Sequence, residues 1–98
     1  MTTTPSELRA AIDAIVEEQR RSASASPYDW KVCVMAVGAA TAALDRVPVE
    51  GSAADYAAQV LATLTALRDT YDDPSGEHTN GSSEIGSIVA RVARLARG

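Results

Sequence analysis

Ninety-eight residues with a net charge of −4 and one cysteine make a single helical domain, 1–98, with room for one modest core. A lone cysteine excludes an internal disulfide. The acidic balance disfavours nucleic acid as a partner, because phosphate binding draws most of its affinity from clustered Lys and Arg. Alanine supplies 19 residues, Leu, Ile and Val together another 19, and Phe none. Alanine loses no side-chain entropy on ordering, so this composition favours closely packed helices over a sheet. Eight arginines against one lysine match the usage of GC-rich genomes and carry no function.

The chain predicts four helices, three of them opened by a hydroxyl residue with a carboxylate three positions later: Thr4–Glu7, Ser26–Asp29 and Ser52–Asp55. The hydroxyl accepts from an otherwise unpaired N–H of the first turn, and the carboxylate meets the positive end of the helix dipole. Pro5 and Pro27 sit at the first helical position, where a missing N–H costs nothing.

The first predicted helix, about 5–23, carries a narrow inward stripe of Leu8, Ala11, Ile12, Ile15, Val16 and Gln19 at helical spacing. Its other side holds Asp13, Glu17, Glu18, Arg20 and Arg21, with Glu17 and Arg21 one turn apart. A small-residue connection, Ser22 to Ser26, leads to Pro27, which stops the helix from running on.

The second predicted helix, about 27–46, is apolar on both sides. Trp30, Cys33, Val34, Val37, Thr41 and Leu44 fall on one, and Val32, Met35, Ala36, Ala39 and Ala43 on the other. A helix apolar all round is expected to be buried all round, either as the central helix or under another subunit. Cys33 lies within this run and reads as a small buried hydrophobe.

After Val47-Pro48-Val49-Glu50-Gly51 comes the third predicted helix, about 53–71. Tyr56, Ala57, Val60, Leu61, Leu64, Leu67 and Tyr71 form its core face, while Ala54, Ala58, Ala62 and Ala66 make a smooth ridge on its back. Residues 72–83 are rich in Asp, Pro, Ser, Gly and Asn and read as an exposed loop. The fourth predicted helix, about 84–97, turns Ile85, Ile88, Val89, Val92 and Leu95 inward and Arg91, Arg94 and Arg97 outward. Arginines there suit the negative end of the dipole without any ligand.

Chemistry-bearing patterns are sparse. His78 is the only histidine, so no His–His metal site forms within one chain. Asp72, Asp73, Glu77 and His78 cluster, but a calcium loop counted from Asp73 has His78 where glycine must turn the chain. No metal or cofactor is expected. The serines lie in caps and linkers, where their hydroxyls serve the backbone, and no glycine-rich phosphate loop is present. The longest apolar stretch, Val32 to Leu44, has 13 residues, short of the roughly 20 that a bilayer span needs. Met1 to Arg9 has no apolar core of a secretory signal. A soluble, cytoplasmic protein is expected.

The segment Leu8 to Ile15 resembles the opening of the first helix of helical chorismate mutases. The likeness covers eight residues of 98. That family uses a much longer first helix than Pro27 permits, so no mutase activity is expected.

The fold expected is all-α, a compact antiparallel four-helix bundle. The function expected is a non-enzymatic protein-interaction or regulatory module, homo-oligomeric, because the second helix has no hydrophilic side and the third has an alanine ridge. Its candidate partner contacts are Tyr28, Val32, Met35, Ala39, Ala58, Ala62 and Ala66, and its partner is itself or another protein. A second reading is an acidic inhibitor of a basic protein, since residues 1–83 hold twelve acids and six bases and acidic patches steer basic partners. A third, small-ligand binding, rests on Thr41, Asp45 and Thr63 lining a pocket between the second and third helices.

Overall fold

The computed structural model describes residues 3–25, 30–71 and 79–97. Nearly all of them lie in four helices: α1 Pro5–Ser24, α2 Trp30–Asp45, α3 Ala53–Tyr71 and α4 Thr79–Ala96. There are no strands among the described residues, and the fold is an all-α four-helix bundle. Two start signals are built by their hydroxyls. Thr4 Oγ1 accepts from the Glu7 N–H at 3.1 Å and Ser52 Oγ from the Asp55 N–H at 3.1 Å, each satisfying one orphan donor of a first turn. The third signal, Ser26–Asp29 with Pro27, lies outside the described residues.

α4 begins five residues before the expected Glu84, so residues 79–83, assigned above to the loop, form its opening. Thr, Asn, Gly and Ser disfavour a helix interior but are tolerated near its start. Packing further along holds the helix in place: Ile85 and Ile88 are fully buried. The loop residues 72–78 lie outside the described residues.

Core formation follows the predicted stripes closely. α1 gives Leu8, Ile12 and Val16, α2 Cys33, Val37, Ala40 and Leu44, α3 Tyr56, Val60 and Leu64, and α4 Ile88 and Val92. Each large aliphatic among them contributes about 1.5–3 kcal/mol by leaving water. Every helix touches the other three. On α2 the inward residues are small, Ala36 and Ala40 being fully buried, and close approach of helices needs such residues.

Side-chain ties set the relative placement. At one end the start of α1 meets the end of α2 through Arg9, described below. Farther along, Gln19 of α1 donates to Glu84 Oε2 at 2.5 Å and accepts from Ser87 Oγ at 3.3 Å, and Glu18 pairs with Arg91 of α4 at 2.8 Å. The α4 residue Gly86 lies against the stem of Arg68 near the end of α3. Two expectations for α4 are therefore corrected. Arg91 docks on α1 instead of pointing away, because Glu18 stands across from it. Leu95 is 36% exposed, because it sits in the last turn, where the bundle end opens to solvent.

Candidate functional site

The outer side of α2 departs most from the sequence expectation. At 100° per residue, Cys33, Ala36, Val37, Ala40, Ala43 and Leu44 centre on one direction, and all six are buried. Lys31, Met35, Gly38, Ala42 and Asp45 centre on the opposite direction, and all five are exposed. Val32, Val34 and Ala39 lie on the flanks, partly buried. The helix is therefore not buried all round: within one chain it is neither central nor covered on its outer side. The physical reason is geometric. The three neighbouring helices cover the inner side, and no other element among the described residues covers the rest. Thr41, expected inward, is exposed, and its Oγ1 donates to the Val37 carbonyl at 3.1 Å.

Met35 is 68% exposed, the most exposed large apolar side chain of the described residues. Between Lys31 and Asp45 the helix has thirteen residues and no charged side chain. Of the other predicted contacts, Ala58, Ala62 and Ala66 of α3 are exposed as an outward ridge together with Ala54. Tyr28 lies outside the described residues.

A second cluster was not anticipated as a unit. Arg9 Nε donates to Asp13 Oδ1 at 2.8 Å, Nη1 to the Leu44 carbonyl at 2.9 Å, and Nη2 to Asp45 Oδ1 at 2.7 Å. One guanidinium thus joins α1 to the last turn of α2. The Leu44 carbonyl also accepts from the Val47 N–H, so this helix-end group is fully used, with a cation at the negative end of the dipole. Burial works against the Arg9 charge, but the bonds to Asp45 and Asp13 outweigh it and keep the group well above its ordinary value. Tyr56 also favours that charge. Its hydroxyl is fully buried and has no hydrogen-bond partner among the described residues, so it acts through proximity alone. The signal available in the sequence was an arginine beside the inward stripe of the first helix, but its partner Asp45 is 36 positions away.

Of the residues named for small-ligand binding, Asp45 is held by Arg9 and the Thr41 hydroxyl by its own helix, and neither they nor Thr63 line the two hollows at the bundle end. One, about 170 Å³, is lined by Leu8, Ala53, Ala54, Ala57 and Leu95. An adjoining open one of about 500 Å³ reaches Thr4, Pro5, Gly51 and Ser52. Thr3 lines both hollows, and the Thr4 and Ser52 hydroxyls on the rim accept from helix N–H groups.

Among the described residues no three His, Cys, Asp or Glu side chains are grouped to hold a metal ion, and no helix is long and apolar enough to cross a membrane. Asp72, Asp73, Glu77 and His78 lie outside the described residues. Cys33 is buried and not in a disulfide. Comparison with protein families, with curated proteins and with solved structures finds no match to this chain.

Proposed function

We propose that this chain is a non-enzymatic, cytoplasmic protein-interaction or regulatory module that works as a homo-oligomer, with the outer face of α2 as its contact surface. One observation carries the reading. A 16-residue helix presents Met35, Gly38 and Ala42 to solvent, with no charge between its terminal Lys31 and Asp45. Exposed apolar surface on so small a domain is naturally hidden in a symmetric interface. Ala58, Ala62 and Ala66 give α3 a second smooth face, though alanine is also an inexpensive helix former.

The acidic-inhibitor reading has less support. Asp13 and Asp45 are tied to Arg9, Glu17 to Arg20, Glu18 to Arg91 and Asp69 to Arg68, which spends acidity inside the chain that a basic partner would need. Light scattering across a micromolar concentration series tests the first reading. A mass rising from one chain to two supports it; one chain at every concentration up to several hundred micromolar overturns it.

A further inference from the structure

Two sulfur-bearing side chains stand two positions apart on α2, Cys33 and Met35. At about 100° per residue they face nearly opposite ways. Cys33 is 5% exposed within the core, whereas Met35 is 68% exposed and is not among the apolar residues packed against that core. An oxidant in the surrounding water therefore meets the two sulfurs unequally.

In an unfolded chain the thiol reacts first, because its thiolate is the stronger nucleophile. Folding reverses that order. A buried thiol is reached only when the structure around it opens, and core helices open least often. A thioether has no proton to lose before it attacks, so Met35 needs only contact with solvent.

We propose that the Met35 thioether is an oxidation site of this chain, modified by hydrogen peroxide ahead of Cys33 and with the fold intact. The sulfur lone pair attacks one peroxide oxygen, an S–O bond forms and the O–O bond breaks. The transferred oxygen gives its proton to the departing hydroxide, which leaves as water. Sulfur loses two electrons and the peroxide gains them. The product is a sulfoxide, a polar group in place of the one large apolar side chain on the exposed side of α2. The core loses nothing, because Met35 takes no part in it. The effect on assembly rests on the homo-oligomer reading above: a sulfoxide on the contact face weakens association, and association in turn shields the thioether, by reciprocal linkage.

Peptide mass mapping after peroxide treatment follows Cys33, Met35 and Met1 separately. In dilute folded chain at neutral pH, Met35 is expected to react within about threefold of its rate in the urea-unfolded chain, and Cys33 at least about a hundredfold slower than in that unfolded chain. The melting temperature of the Met35 sulfoxide is expected within about 3 °C of the untreated chain, with helical circular dichroism unchanged. Folding that slows Met35 tenfold or more, oxygen gained by Cys33 ahead of Met35, or loss of helix as the sulfoxide accumulates overturns the assignment. Met35→Leu keeps an apolar side chain of similar size and removes the thioether. Light scattering of concentrated chain then separates the two ideas. A mass that falls on oxidation of wild type but not of Met35→Leu supports both. One chain before and after oxidation overturns the homo-oligomer reading alone, since the mass mapping does not depend on it.

Discussion

On the outer side of α1 the charged residues are Asp13, Glu17, Glu18, Arg20 and Arg21, beside exposed Ala10 and Ala14, and on α2 the exposed residues are Lys31, Met35, Gly38, Thr41, Ala42 and Asp45. The first set is engaged within the chain: Glu17 with Arg20 and Arg21, Asp13 with Arg9, and Glu18 across to Arg91 of α4. The second has charge only at its ends, and Met35 stands in solvent. Both helices bury one side in the same core, so stability of the fold does not distinguish them. What distinguishes them is that charged residues line the outer side of α1, whereas the outer side of α2 has none between Lys31 and Asp45. Substitutions on the two sides of α2 break or sharpen that contrast most directly.

The largest effect belongs to the inner side. Leu44→Ala removes a fully buried side chain and is expected to destabilise the fold by about 2–5 kcal/mol, seen as a lower urea midpoint with unchanged slope. Met35→Ala on the outer side is expected to change the stability of the dilute monomer by less than about 0.5 kcal/mol while weakening self-association. Equal losses at the two positions would mean that Met35 packs within the chain, and the contrast between the faces would fail.

Arg9 follows. Arg9→Met keeps the apolar stem and removes three donors, leaving the Leu44 carbonyl with one bond and Asp13 and Asp45 with no cation between them. A loss of about 1–3 kcal/mol is expected from the bonds given up by a partly buried group, measured by the same urea titration. A change under about 0.5 kcal/mol would reduce the cluster to surface ion pairs, which contribute little.

These residues also show what was legible in advance. Leu8, Ile12 and Val16, or Val60 and Leu64, announce their burial by spacing alone, because a helix repeats every 3.6 residues and one core takes one face. Gln19 fell on that inward stripe, and its amide finds Glu84 and Ser87 there. The extent of α2 burial was not legible. An alternating count of apolar residues cannot tell how many neighbours will arrive, and three helices cover only part of a fourth. The start of α4 is hidden for a different reason: Asn80-Gly81-Ser82-Ser83 has the composition of a turn, and the helix nevertheless runs from Thr79 into the buried Ile85 and Ile88. The Arg9 cluster depends on contacts 35 and 36 positions apart, which no local pattern encodes.

Two glycines sharpen the comparison at a smaller scale. Neither would clash with an added Cβ, yet opposite signs are expected. Gly51, in the connection between α2 and α3, has φ of 77°, a conformation that costs an L-residue roughly 1–2 kcal/mol, so Gly51→Ala should destabilise by about that amount. Gly38 is in regular helix, so Gly38→Ala should stabilise the dilute monomer by about 0.5–1 kcal/mol. Thermal melts at concentrations below association check both. A destabilising Gly38→Ala would show that something in the monomer needs that glycine.

The smallest effect tests the other helix. The Glu17 carboxyl is held below its ordinary value, chiefly by its hydrogen bond from Arg20 and further by the charges of Arg20 and Arg21, while slight desolvation works the other way. A carboxylate depressed in the folded state contributes stability that is fully present above its unfolded pKa and is lost as pH falls through the folded one. The side chain is 44% exposed, so the contribution is small and screened by salt. Wild type is therefore expected to melt slightly above Glu17→Gln at pH 7 in low salt, with the gap closing under acid and in high salt. A gap that persists in acid would mean that Arg20 and Arg21 do not hold the Glu17 carboxylate, and the internal pairing described for α1 would fail.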